Sequence, residues 1–257
     1  MSHTKPHISI ITVCYNSEAT IIDTLASVAA QDWPDREHLI IDGASTDNTA
    51  KLVADFIAEH PYLDIQWYSA RDSGLYDAMN KGISLAKEGI IGLLNADDFY
   101  TGPQVLSKVA ACFEDENAAG LYADLQYVDG QAKARVVRKW KSGPYKKHAF
   151  LWGWMPPHPS FFVRKCFYEQ WGTYRLDMGS AADYELMLRF IHRNELKLAY
   201  LPETIISMRT GGVSNKAIKN RLAANAMDQK AWEVNGLRPY WFTRYLKPLR
   251  KIGQFLG

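Results

Sequence analysis

Residues 89–98 read GIIGLLNADD, a short apolar run that ends in an Asn and two consecutive acids. Such a run, bounded by turn residues, is a buried strand that carries the next residues to its C-terminal end. The arrangement recurs upstream. ISIITV (8–13) leads into Cys14-Tyr15-Asn16-Ser17, His38 to Ile41 into the turn Asp42-Gly43-Ala44-Ser45-Thr46-Asp47, and 64–68 reads as a third strand. Helical spacings lie between. Ile21, Ile22, Leu25, Val28 and Ala29 come after Ser17, a candidate N-cap. Leu52, Val53, Phe56 and Ile57 mark a second helix, and Leu75, Met79, Ile83 and Ala86 a third, capped by Ser73. Thr101 and Pro103 open a fourth with Leu106, Val109 and Phe113.

Strands alternating with helices of this length form βαβ units: an α/β chain with a mostly parallel sheet flanked by helices. Ligands of such sheets sit beyond the strand C-termini, where Asn16, Asp42, Arg71, Asp97 and Asp98 all lie. From about Tyr122 to Tyr200 the pattern changes. Strand-like stretches at 121–128 and 135–140 precede an aromatic loop and a helix over 182–193. No Pro/Gly/Ser linker and no internal repeat divides residues 1–215, which are expected to form one domain: 1–100 as one functional half, 101–215 as the other.

The 257 residues are 47% apolar and 23% charged, which excludes a disordered or low-complexity chain. The net charge of +2 hides an asymmetry. Residues 216–257 carry nine Lys/Arg against two acids, or +7, which leaves −5 on the first 215 residues. Three widely spaced cysteines show neither disulfide nor zinc spacing and suit a reducing cytosol. No stretch approaches the ~18 apolar residues of a membrane span. The opening MSHTKPHISIITV passes straight into a strand without a signal peptide, so a cytoplasmic location is expected.

Several chemistries are missing. There is no GxxxxGK[ST], no GxGxxG after the first strand, no GxSxG and no HExxH, and no nucleophilic Asp comes after strand one. Two readings stand for Asp97-Asp98: a loop-capping pair, or hard carboxylate ligands for Mg2+ or Mn2+ that share the ion with substrate phosphates.

Several ordered motifs bear on that choice. TVCYNS, LASVAAQDWP, HLIIDGASTDNT, DSGLYDAMNKGI and LLNADD, then PHPSFF (157–162) and ADYEL (182–186), resemble the family 2 inverting glycosyltransferases of the GT-A fold. The resemblance implies a metal-dependent, inverting transfer of a sugar from a nucleotide-diphosphate sugar to an acceptor hydroxyl. Assembly of bacterial surface polysaccharide, with a glycan or lipid-linked acceptor, is the expected setting. It places residues 12–16, Thr12, Tyr15 and Asn16 among them, and Asp42 at the nucleotide. Asp42 would accept the N3–H of a uracil or thymine base, hence a UDP- or dTDP-sugar, or else cap its own turn. Arg71 and Lys81 would meet the diphosphate. Asn95 stands where the family often has Asp. Asp97 would lie near ribose or metal, and Asp98 would ligate Mn2+ or Mg2+.

By the same resemblance Asp183 is the general base that deprotonates the acceptor. Glu185 is a weaker candidate or a helper. Trp152, Trp154 and His158 form an aromatic loop suited to the acceptor, with core packing the other reading for each Trp. A nucleotidyltransferase and a non-catalytic nucleotide- or sugar-binding module are the alternatives.

From Val234 onward the tail has no acid, and five cations alternate with aromatic and aliphatic residues. It is expected either to pack on the domain or to meet an anionic membrane, on the inner face of the cell membrane. Nucleic acid is not expected as a partner.

Overall fold

The computed structural model describes residues 5–115, 118–130, 135–210, 219–243, 245–246 and 250. The first half is β1 (Ile8–Cys14), α1 (Ile21–Ala29), β2 (Arg36–Asp42), α2 (Thr49–Glu59), β3 (Ile65–Ser69), α3 (Leu75–Leu85) and β4 (Ile90–Leu93). Its four strands pair in parallel in the order β3-β2-β1-β4. Every residue of β1 is buried, with Ile8 and Ile10 entering one core cluster and Ile11 and Val13 another. That two-sided burial is why ISIITV is continuously apolar rather than alternating. The helix α3 lies close on this strand, since a Cβ at Gly82 would meet Ile11 Cγ2 at 2.4 Å.

Two helix starts differ from the sequence expectation. For α1 it is the backbone carbonyl of Ser17, not its side chain, that accepts the Thr20 and Ile21 amides, both at 3.0 Å. Before α3, Asp77 Oδ2 accepts the Ser73 amide at 2.9 Å, and Gly74 supplies a φ of 117° at the helix entry.

The second half is β5 (Phe99–Tyr100), α4 (Val105–Cys112), β6 (Gly120–Val128), β7 (Val136–Trp140), β8 (Phe162–Arg164), α5 (Lys165–Trp171), α6 (Ala182–Met187), β9 (Leu198–Arg209) and α7 (Lys219–Val234). A π-helical turn, Leu188–Arg193, prolongs α6. The sheet continues β4-β8-β6-β9-β5, with β7 beside β6. The β6/β9 pair is parallel and the others antiparallel. Sequence patterning does not disclose β9, because Pro202 interrupts it. The register jumps from Leu201↔Ala123 to Thr204↔Asp124, so the exposed Pro202 sits in a bulge where no ladder donor is needed.

Four strand spacings separate β4 from β5 along that path, about 19 Å on a flat sheet at ~4.8 Å each. Between them Asp98 N–H closes a turn on the Asn95 carbonyl at 3.0 Å. Such a turn spans under ~7 Å, which leaves the connection no slack. The sheet therefore curls, and Asn95–Asp98 sit at the seam.

His38 on β2 is buried, its Nε2 2.8 Å from the Thr12 hydroxyl on β1. Burial, with nearby Arg36 adding to it, pushes the imidazole down to about 3. The folded chain then keeps it neutral where the unfolded chain takes up a proton, below about pH 6.5. Stability from this site is full above that value and is lost as the pH falls toward 3, by up to ~1.4 kcal/mol per pH unit. His38→Gln is expected to flatten the decline in urea-measured stability between about pH 6 and pH 4 by roughly one proton.

Candidate active site

The strand ends of the first half form one connected rim. Asn16, at the end of β1 with a φ of 49°, accepts the Thr46 amide on its side-chain oxygen at 2.8 Å, and its own amide donates to Ser45 Oγ at 2.9 Å. Asp42, at the end of β2, is buried. Its carboxylate accepts the Ser45 amide and hydroxyl and, at 2.6 Å, the Ser69 hydroxyl from β3. The turn-capping role of Asp42 is therefore present. Gly43 lies so near Asp72 that a Cβ would come within 2.8 Å of its Oδ2, and Tyr15 beside them is largely exposed. Arg71 is exposed. Lys81 donates to the Arg71 carbonyl at 3.1 Å and pairs with Asp77 at 3.1 Å, pinning the loop into α3.

Thr12 does not join this rim. Its side chain is fully buried on His38, so in this conformation it has no surface for a donor. The Cys14 thiol, pushed up to about 12 by burial and by Asp42 beside it, is a core group and not a nucleophile.

At the seam, Asp97 is half-buried and Asp98 is 1% exposed. Asn95 donates to Asp98 Oδ2 at 3.3 Å, while Asp98 Oδ1 is buried without a hydrogen-bond partner. Burial, with the Asp97 carboxylate adding to it, raises the Asp98 carboxyl well above the usual range. Asp97 is raised mainly by burial. Two crowded acids with an orphaned oxygen suit a hard divalent cation, for which protein carboxylates are the natural donors. Among the described residues no group of three or more His, Cys, Asp or Glu could hold a metal. Arg209, buried at the end of β9, clamps the turn: it donates to the Asp97 carbonyl at 2.8 Å, pairs with Asp23 and lies over the Phe99 ring. Sequence patterning does not single out Arg209, because its partners are 112 and 186 residues away.

Asp183 occupies the first turn of α6, where its Oδ1 accepts the Tyr184 amide at 2.7 Å. Around it gather Tyr76 of α3, Tyr174 and His158. Tyr76 stacks on Tyr174 at 5.3 Å, and His158 Nε2 lies 2.6 Å from the Tyr174 hydroxyl. Burial keeps both phenols protonated and His158 neutral, although Asp183 draws the imidazole slightly the other way. Asn80, inside DAMNKG, holds Tyr174 by both backbone groups, each at 2.8 Å.

Two assignments are corrected. Trp154 is buried among Tyr122, Tyr145 and Phe150, and its N–H donates to the Ser142 carbonyl at 2.9 Å, so it offers no face to a sugar. Glu185 is no base or helper. Its buried carboxylate takes two bonds from Arg189, each 3.0 Å, and one from Asn235 at 3.1 Å. Trp152 is exposed, against Tyr240 and Phe242. Between α7 and the 238–243 turn lies a cavity of about 460 Å³, lined by Tyr184, Trp232, Arg238, Tyr240 and Trp241. Asp183 and its neighbours Tyr76, His158 and Tyr174 do not line it.

The family model described as Glycosyl transferase family 2 matches residues 9–168, more than half of the chain. The protein belongs to glycosyltransferase family 2. It is 32% identical over 186 residues to an uncharacterized glycosyltransferase of Mycobacterium tuberculosis, spanning 72% of this chain and 68% of that one. A PGL/p-HBAD biosynthesis glycosyltransferase of Mycobacterium bovis is 29% identical over 214 residues, 83% and 81% of the two chains. Among solved structures, S. aureus TarS 1-349 in complex with UDP-GlcNAc superposes with a TM-score of 0.73 at 17% identity, covering 97% of this chain and 71% of that chain. A mannosyltransferase of Pyrobaculum calidifontis in complex with GDP-Man and Mn2+ gives 0.68 at 16%, covering 95% and 69%. The fold is the GT-A fold expected from the motifs, and the chain is a glycosyltransferase, which sets aside the nucleotidyltransferase alternative.

Removing the guanidinium of Arg189 strands the Glu185 charge and frees the carbonyls of Trp171, Gly172 and Thr173 that it also serves. Arg189→Met is expected to cost about 3–5 kcal/mol in urea unfolding. Adding Glu185→Gln is expected to recover part of that loss.

Proposed function

We propose that this glycosyltransferase is inverting and metal-dependent, and that it moves a sugar from a UDP- or dTDP-sugar to a hydroxyl of a glycan or lipid-linked sugar. The observation that carries this reading is the group around Asp183. Two phenols held protonated and an imidazole held neutral surround one carboxylate on the first turn of α6. That carboxylate is the group suited to take the acceptor proton. As the acceptor oxygen bonds to the anomeric carbon, its proton passes to Asp183. The anomeric C–O bond breaks, with its electron pair leaving on the diphosphate, so one displacement inverts the configuration. The protein's task is to hold base, acceptor and leaving group in line.

Asn16 and Tyr15 border the nucleotide, with Asp42 setting the turn beneath the base and available to its N3–H. Arg71 meets the diphosphate, and Lys81 holds the loop that carries Arg71. His158 and Tyr174 orient the acceptor beside Asp183, and Trp152 lies on the acceptor side. Asp97 and Asp98, with Asn95 fixing Asp98, would hold Mn2+ or Mg2+, which when bound stabilises charge on the departing diphosphate. The TarS and Pyrobaculum structures bind nucleotide sugars, the latter with Mn2+, which supports this reading. Surface polysaccharide assembly is supported by a poly-beta-1,6-N-acetyl-D-glucosamine synthase of Staphylococcus epidermidis, 37% identical over 90 residues, 35% of this chain and 21% of that one.

Asp183→Asn is expected to bind nucleotide sugar with near-normal affinity and to lose transfer by roughly 10²–10⁴-fold. Normal transfer, or a defect confined to donor affinity, would exclude Asp183 as the base. Chelation by EDTA is expected to abolish turnover, reversibly on adding Mn2+, and Asp98→Asn to reproduce that loss with the fold intact by circular dichroism. Full activity in chelator would end the metal assignment.

A further inference from the structure

Residues from Ala231 onward divide into two sets with opposite surroundings. One set turns inward. Trp232 donates its indole N–H to the Tyr184 hydroxyl at 3.0 Å, Asn235 reaches Glu185, and the Thr243 hydroxyl donates to the Leu151 carbonyl at 2.7 Å; all three are buried. The other set turns outward. Trp241 is 80% exposed, Tyr245 51% and Tyr240 49%, and Trp152 from the 149–152 turn joins them at 54%. Ring contacts make Trp152, Tyr240 and Trp241 one patch around Phe242. Trp152 lies 5.4 Å from Phe242 and 6.3 Å from Tyr240, and Tyr240 and Trp241 lie 5.1 and 5.6 Å from Phe242.

Cations accompany the patch. Arg238 and Arg250 are exposed, and Arg250 donates to the Trp152 carbonyl at 3.3 Å, which brings it to the patch edge. Val234 to Gly257 contains Arg244, Lys247 and Lys251 besides, and no acid. The placement of these three lies outside the described residues. Among the described residues no helix is long and apolar enough to cross a membrane.

We propose that this surface docks on the anionic headgroup layer of a bilayer. Contiguous exposed apolar patches on soluble proteins mark interaction sites. Trp and Tyr, apolar in body and polar at one end, suit the boundary between headgroup and acyl chain. Cations without acids across a whole segment suit anionic lipid, whereas a protein partner would need a matching acidic face of its own. Trp241, Tyr240 and Arg238 also line, with Asp228, the cavity beside Tyr184, the chain neighbour of Asp183. Docking itself stands independently of the proposed reaction. Only its purpose, presenting a lipid-carried acceptor, rests on that reading.

The test is co-sedimentation of the full chain with phosphatidylglycerol vesicles and with phosphatidylcholine vesicles, at low and high salt. The chain is expected to bind phosphatidylglycerol in a salt-sensitive way, with a tryptophan fluorescence blue shift that Trp241→Ala reduces and Trp152, in the same patch, in part retains. The double variant Trp241→Ala/Tyr245→Ala is expected to lower partitioning at least about tenfold. Arg238→Gln/Arg250→Gln is expected to lower it about thirtyfold on phosphatidylglycerol and little on phosphatidylcholine. Hydrolysis of UDP-sugar is expected to be unchanged in the aromatic variant, so failure of the catalytic reading and failure of docking are separable. Wild-type chain left in the supernatant with phosphatidylglycerol overturns the proposal, as does equal binding by both variants. A solution dimer that Trp241→Ala dissociates also overturns it, and makes the patch an interface between copies.

Discussion

The segment 171–174 is gripped from two sides, and the geometry around Asp183 depends on that grip. From the first half, the Asn80 amide bonds the backbone N–H and C=O of Tyr174. From the second, Arg189 bonds the carbonyls of Trp171, Gly172 and Thr173 while paired with Glu185. Tyr174 is thereby fixed, and it places His158 through its hydroxyl and Tyr76 through its ring. A buried ion pair adds little net stability against an apolar substitute, but it is costly to break. Here its value is positional: Glu185 lies on α6, which presents Asp183, Arg189 lies on the π-helical turn that prolongs it, and Arg189 holds three backbone carbonyls as well.

The opposite electrostatic choice is made at the seam of the sheet. Asp97 and Asp98 are crowded and desolvated, and Asp98 keeps one oxygen without a partner. Arg209 steadies the turn through the Asp97 carbonyl and Asp23, and its proximity offsets part of the rise at Asp98. The Glu185 carboxylate, by contrast, is bonded on both oxygens, by Arg189 and by Asn235.

The tail shows the same division on a surface. Packing on the domain and meeting a lipid layer are not exclusive fates for it. The structure shows the first for part of it: Trp232, Asn235 and Thr243 are spent on α6 and the 149–152 turn, while Trp241, Tyr240 and Tyr245 stay exposed, where the proposed docking would use them. Composition cannot separate the two sets, because both are aromatic or small polar residues within a dozen or so positions.

The first half was legible because its information is local. Apolar runs such as ISIITV and GIIGLL force buried strands, and the residues just after them must emerge at one edge of a parallel sheet. Asn16, Asp42 and Asp97-Asp98 could thus be placed from spacing alone. The motifs carried family and fold, and Asp183 with them. What only the tertiary structure decided depends on contacts between distant residues. Pro202 hid β9, because a bulge that tolerates proline exists only once β6 lies beside it. Trp154 and Trp152 stand two residues apart in one aromatic loop, yet one is walled in by Tyr122, Tyr145 and Phe150 and the other is open. Glu185 resembles a catalytic acid until Arg189 and Asn235 enclose it. Thr12 sits in a strand end that points to the cleft, yet its hydroxyl is taken by His38. Side-chain direction and partnership are set by what packs across the chain, and no local pattern encodes that.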